Sequence, residues 1–103
     1  MLEAFRRLFF GWCIVAIATP SFAADPDNGK AIAKRWCASC HLVERGQTKA
    51  TDQAPPFDYL ARTPDFDANK LALLLLQPHP SMPSISLSRA EVADMADYIL
   101  SFK

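Results

Sequence analysis

Cys37, Cys40 and His41 stand in the run Cys37-Ala38-Ser39-Cys40-His41. Two thiols separated by two residues can lie about one helical turn apart, and an imidazole follows them directly. The order is C-x-x-C-H, the attachment sequence for a c-type haem. The thiols can bond two vinyl groups on one porphyrin edge, and the histidine can turn beneath the ring to meet the iron. Two other chemistries fit less well. A thioredoxin-like dithiol needs a βαβ setting, and the chain shows no convincing strand. A zinc site built from Cys37, Cys40, His41 and His79 would ask adjacent Cys40 and His41 to reach one tetrahedral ion. Structural zinc sites more often use two well-separated ligand pairs.

An iron-bound imidazole needs an acceptor for its other ring nitrogen. Pro55, fourteen residues beyond His41, offers a stiff backbone carbonyl; its alternative role is only to shape the loop. For the opposite face of the iron the candidate is Met82, framed by Ser81 and Pro83. Met82 sits in a loop, whereas Met95 falls at helical spacing among apolar residues and reads as core. A proline-framed thioether suits a metal, and methionine is an established haem ligand. His79 is the competing ligand, with a surface loop histidine as its plain alternative.

These residues need elements to position them. Asp27 is a candidate N-cap for a helix running to about Cys37, with Gly29, Ile32, Ala33 and Trp36 on one face. Residues 42–54 are polar and irregular and read as loop. Pro55-Pro56 forces an extended step; a short helix follows with Phe57, Leu60 and Ala61 on one side, ended by Thr63-Pro64. Asp67 can cap a helix from Ala68 to Leu76, whose leucines run nearly all round, so that helix is expected to be mostly buried. Pro78 stops it. Ser88 and Glu91 form a capping box for a last helix, with Leu87 and Val92 as its staple. Val92, Met95, Ala96 and Ile99 mark its apolar face. The fold class is all-α with long loops.

The chain has 103 residues and balanced charge, eleven basic and eleven acidic side chains. That is one small domain without the basic excess that tracks nucleic acid. Its first part stands apart. Arg6 and Arg7 precede an apolar run from Leu8 to Ala18, and Thr19-Pro20 breaks it before the small residues of Ser21-Phe22-Ala23. This is the layout of a secretory signal. The run is well short of the roughly 20 residues that cross a bilayer. Residues 1–23 are therefore expected to be removed as a signal peptide, with an uncleaved membrane anchor as the alternative. Cys13 leaves with it as a small apolar filler. Residues 24–103 form the remaining domain. A chain so short needs a staple, and a flat, covalently held haem would supply it. Thioether attachment also takes place outside the cytoplasm, where the signal would direct the chain.

The sequence resembles a small class I cytochrome c, over essentially all of residues 24–103. The resemblance rests on Cys37, Cys40 and His41, then Ala54-Pro55-Pro56-Phe57, then Met82-Pro83, then the helix from Ser88. It implies the cytochrome c fold, with N- and C-terminal helices crossing around one covalent haem c. It implies that the Pro55 carbonyl holds His41 and that Met82 binds iron opposite His41. It also implies a close helix crossing at Gly29, opposite Met95 and Tyr98. There are departures. Ala33 stands where an aromatic is common, and Ala54 replaces glycine before Pro55. No tryptophan lies between His41 and Met82, leaving Tyr59 and Arg62 as weak substitutes at a haem propionate. The implied role is a periplasmic mono-haem electron carrier, not an enzyme in its own right. Its redox partner proteins would dock briefly, through interfaces commonly under about 1,200 Å². The alternative is a haem-bearing subunit of a larger oxidoreductase, of sulfur-oxidising or dehydrogenase type.

Overall fold

The computed structural model describes residues 13–18, 23–51, 54–77 and 85–103. Met82 and His79 lie outside the described residues, as does most of the candidate signal. Among the described residues four helices account for the regular structure: α1 (Pro26–Trp36), α2 (Phe57–Ala61), α3 (Ala68–Leu76) and α4 (Arg89–Leu100). No strand occurs among the described residues, in keeping with the all-α expectation. Residues 13–18 carry no regular structure, and Ile14, Val15 and Ile17 stand exposed. Among the described residues no helix is long and apolar enough to cross a membrane.

α4 is the hub. α1, α2 and α3 each pack against it, and no other pair of helices comes close. Its start is the expected capping box, Ser88 Oγ accepting from the Glu91 amide at 3.1 Å and Glu91 Oε1 accepting from the Ser88 amide at 2.9 Å. Val92, Met95, Ala96, Tyr98 and Ile99 are buried. Fully burying a side chain such as Ile99 or Met95 contributes about 2 kcal/mol.

α1 begins at Pro26 with Asp25 as its N-cap, two residues before the expected cap at Asp27. The Asp25 carboxylate accepts from the amides of Asp27 and Asn28 at 3.0 and 3.3 Å. Proline at the first helical position needs no partner for a missing N–H, so Asp25-Pro26 outcompetes Asp27 as the start. Gly29, Ile32 and Ala33 are buried as expected. Trp36 is not: it is 48% exposed, with the Arg35 guanidinium 4.9 Å from its ring centroid. The helix ends there, and the following turn takes over contact with the core.

The α1–α4 crossing is set by Gly29. A Cβ built there would stand 2.1 Å from the Asp94 carbonyl oxygen and 2.9 Å from Tyr98 Cβ. No side chain fits that gap. The nearest contacts are with the Asp94 backbone and with Tyr98, one of the two residues the resemblance placed opposite Gly29. Asp94 reinforces it, its carboxylate accepting from the Asp25 amide at 2.7 Å and from Asn28 Nδ2 at 2.8 Å.

α3 starts where expected, Asp67 accepting from the Lys70 amide at 2.8 Å. Its burial departs from expectation. Leu71 is buried against the core, whereas Leu73 and Leu76 are 56% and 80% exposed. One side of α3 packs on α4, and among the described residues no helix packs on the other.

Candidate functional site

The C-x-x-C-H run continues directly from α1. The Cys37 and Ala38 amides both donate to the Ala33 carbonyl, at 2.9 and 3.0 Å. The Cys40 and His41 amides both donate back to the Cys37 carbonyl, at 3.1 and 2.8 Å. The result is a tight turn carrying two free thiols and an imidazole. Cys37 is buried and Cys40 half-buried. Burial, and secondarily the neighbouring Cys40, push the Cys37 thiol up to about 11. A redox dithiol works by lowering a thiol's pKa; burial of Cys37 acts in the other direction. Among the described residues no three metal-binding side chains converge.

His41 is held where the sequence placed it. Its Nδ1 lies 2.6 Å from the Pro55 carbonyl oxygen. A carbonyl only accepts, so Nδ1 is the donor in this bond, and Nε2 is the ring nitrogen left for another partner. Next to this bond, the Phe57 amide donates to the Leu42 carbonyl at 2.9 Å. The two bonds pin residues 41–42 to residues 55–57. Behind them Phe57, 2% exposed, sits with its ring centroid 5.9 Å from that of His41. It meets Tyr98 and Phe102 edge-on at 6.2 and 6.5 Å. The imidazole therefore rests on α4 through aromatic packing. The Tyr98 hydroxyl donates to the Val43 carbonyl, tying the same loop to α4. Burial, with Glu44 nearby, raises the Tyr98 phenol above its ordinary value.

Two residues of this loop went unmarked in the sequence. Gln47 Oε1 accepts from the Val43 amide at 2.9 Å, and its Nε2 lies within 3.0 Å of the carbonyls of Ala38, His41 and Lys49. Thr51 Oγ1 donates to the Cys40 carbonyl at 3.3 Å. The one visible signal was Gly46. Its φ of 85° is left-handed, and the Gln47 amide closes the turn onto the Glu44 carbonyl at 3.3 Å. A Cβ at Gly46 would meet nothing within 4 Å, so backbone conformation rather than space calls for glycine there.

The donor set suits a haem. Two free thiols share one turn with an imidazole that is braced at Nδ1 and leaves Nε2 unengaged by that bond. Leu73 and Leu76 offer apolar surface left exposed among the described residues, which a flat apolar group would use. Tyr59 and Arg62 line an open groove with Pro56, Asp58, Thr63 and Pro64. Arg62 is engaged locally, Nη1 donating to the Asp58 carbonyl at 3.0 Å and lying 3.8 Å from the Asp58 carboxylate.

Comparison with known proteins agrees with this chemistry. The family described as cytochrome c oxidase, cbb3-type, subunit III matches residues 24–99. Cytochrome c-552 of Bradyrhizobium diazoefficiens is 52% identical over 97 residues, spanning 90% of this chain and 93% of that protein. No solved structure matches the chain.

Proposed function

We propose a haem-binding arrangement and a cellular role for this chain, which belongs to the mono-haem c-type cytochrome family. Cys37 and Cys40 hold haem c covalently through their sulfurs. His41 Nε2 is the proximal ligand, and Met82 supplies the ligand on the opposite face. The observation that carries this is the 2.6 Å contact from His41 Nδ1 to the Pro55 carbonyl, in the same turn as two free thiols. That contact fixes the tautomer, orients the ring and raises the basicity of Nε2.

The haem supplies one-electron chemistry, cycling between ferrous and ferric iron. The chain's residues do the rest. Cys37 and Cys40 place one haem edge at the end of α1, where electrons can leave. Phe57 and the aromatic cluster on α4 keep water from the His41 side. With Met82 and His41 both bound to it, the iron would have no position open to oxygen or peroxide. A thioether ligand is a strong lever on potential, since axial ligands move haem potentials across about 0.8 V. The protein is a mono-haem electron carrier that meets its redox partners transiently in the periplasm, after residues 1–23 are removed.

A haemochrome assay on protein from a haem-attaching host tests the attachment; Cys37→Ala with Cys40→Ala abolishes the signal. Met82→Ala is expected to remove the near-infrared sulfur-to-iron band and lower the potential, with His79→Ala leaving both unchanged. A spectrum that responds only to His79→Ala reassigns the ligand. The matching family's own description, subunit III of an oxidase, favours a second reading as a haem subunit of a larger complex. Stable co-purification with other redox chains would establish it.

A further inference from the structure

We propose that Gln47 is a positioning residue for His41, holding the end of the attachment turn so that the imidazole stays aligned with Pro55. This rests on His41 being the proximal ligand. One primary amide serves four main-chain groups. Its oxygen takes the Val43 N–H, and its nitrogen faces the carbonyls of Ala38, His41 and Lys49. Ala38 lies between the two cysteines, and His41 and Val43 frame Leu42. The amide thus spans the turn from inside C-x-x-C to two residues beyond the histidine.

The Pro55 bond fixes only the ring of His41, and a ring can still swing if its backbone moves. Gln47 fixes the backbone end. Two hydrogens shared among three carbonyls, all within 3.0 Å, leave the amide no slack. Thr51 holds the intervening Cys40 carbonyl at 3.3 Å, so the main chain from Ala38 to Val43 is bonded from one side by this loop. Gly46 makes it possible, because its left-handed turn points Gln47 back at the attachment turn.

The test uses the full haem-loaded chain in its reduced, diamagnetic state and reads exchange of the His41 Nδ1 proton by NMR. Gln47→Leu removes all four bonds. Gln47→Glu keeps the shape and the acceptor for Val43 but loses both donors, and it serves if the leucine variant does not accumulate. Asn28→Ala, which removes a bond to Asp94 far along α1, is the control for general destabilisation. Exchange is expected to accelerate at least tenfold in either Gln47 variant and to stay within twofold of wild type in Asn28→Ala. Wild-type exchange in the Gln47 variants, or equal acceleration in the control, overturns the assignment. Haemochrome content of the same samples reads the functional proposal separately. Protected Nδ1 with wild-type haem content and no response to Gln47 sinks only the positioning role, whereas wild type without covalent haem sinks the function.

Discussion

The α1–α4 crossing and the α3 helix are built on the same hub, yet they differ in how completely polypeptide finishes them. At the crossing every gap is closed. Gly29 admits the Asp94 carbonyl, Ala33 and Ile99 are fully buried, and Asp94 ties off the start of α1. On α3 the packing stops halfway, with Leu71 inside and Leu73 and Leu76 outside. The crossing is a protein–protein contact in miniature. On the proposed function, the exposed leucines of α3 are surface that the haem would cover, completing the core of so short a chain.

The sharpest way to break this contrast is to withhold the cofactor. Cys37→Ala with Cys40→Ala is expected to abolish fixed tertiary packing while much of the helix signal survives, read by near- and far-ultraviolet circular dichroism. Next in size is the crossing itself. Gly29→Val drives a side chain into the Asp94 carbonyl, and overpacking of this kind costs about 3 kcal/mol, measured by guanidinium unfolding of the haem-loaded protein. Leu76→Ala sharpens the comparison from the other side. It should cost about 2 kcal/mol in the haem-loaded protein, measured by the same unfolding, although polypeptide leaves that side chain 80% exposed.

The smallest effect is at Tyr98, where crossing and site meet. Tyr98→Phe leaves the Val43 carbonyl without its donor, at about 1 kcal/mol. It also changes the pH profile. The folded phenol titrates above its ordinary value of 10.0 because it is buried, so the folded state favours the protonated form. Its contribution is fully present below pH 10 and is lost as pH rises through the raised folded value. The phenylalanine variant should lack that alkaline loss in a stability-against-pH series.

Much of the fold was legible because its signals are local. Ser88 with Glu91, and Asp67 ahead of α3, announce helix starts through bonds made within one turn. Asp25 and Asp27 both suit a cap, and only the first helical position, taken by Pro26, decides between them. The attachment run at Cys37, Cys40 and His41 was legible because that chemistry demands a spacing, and the carbonyl expected beside His41 is met at Pro55. Gln47 was not legible. A polar residue in an irregular loop carries no pattern, and its partners are main-chain atoms brought together only by folding. The exposure of Trp36 was hidden for a related reason: helical spacing assigns a face but does not say where the helix ends.

Sequence alone determined which atoms could meet a haem, since covalent attachment and ligation need particular elements at a particular separation. It also determined where the helices begin, because caps are short-range hydrogen bonds. Tertiary structure decided how the imidazole is braced, which carbonyl Gly29 admits and which leucines of α3 stay uncovered. Those depend on distances between segments far apart in the chain, and no run of residues records such distances until burial and backbone bonding have fixed them.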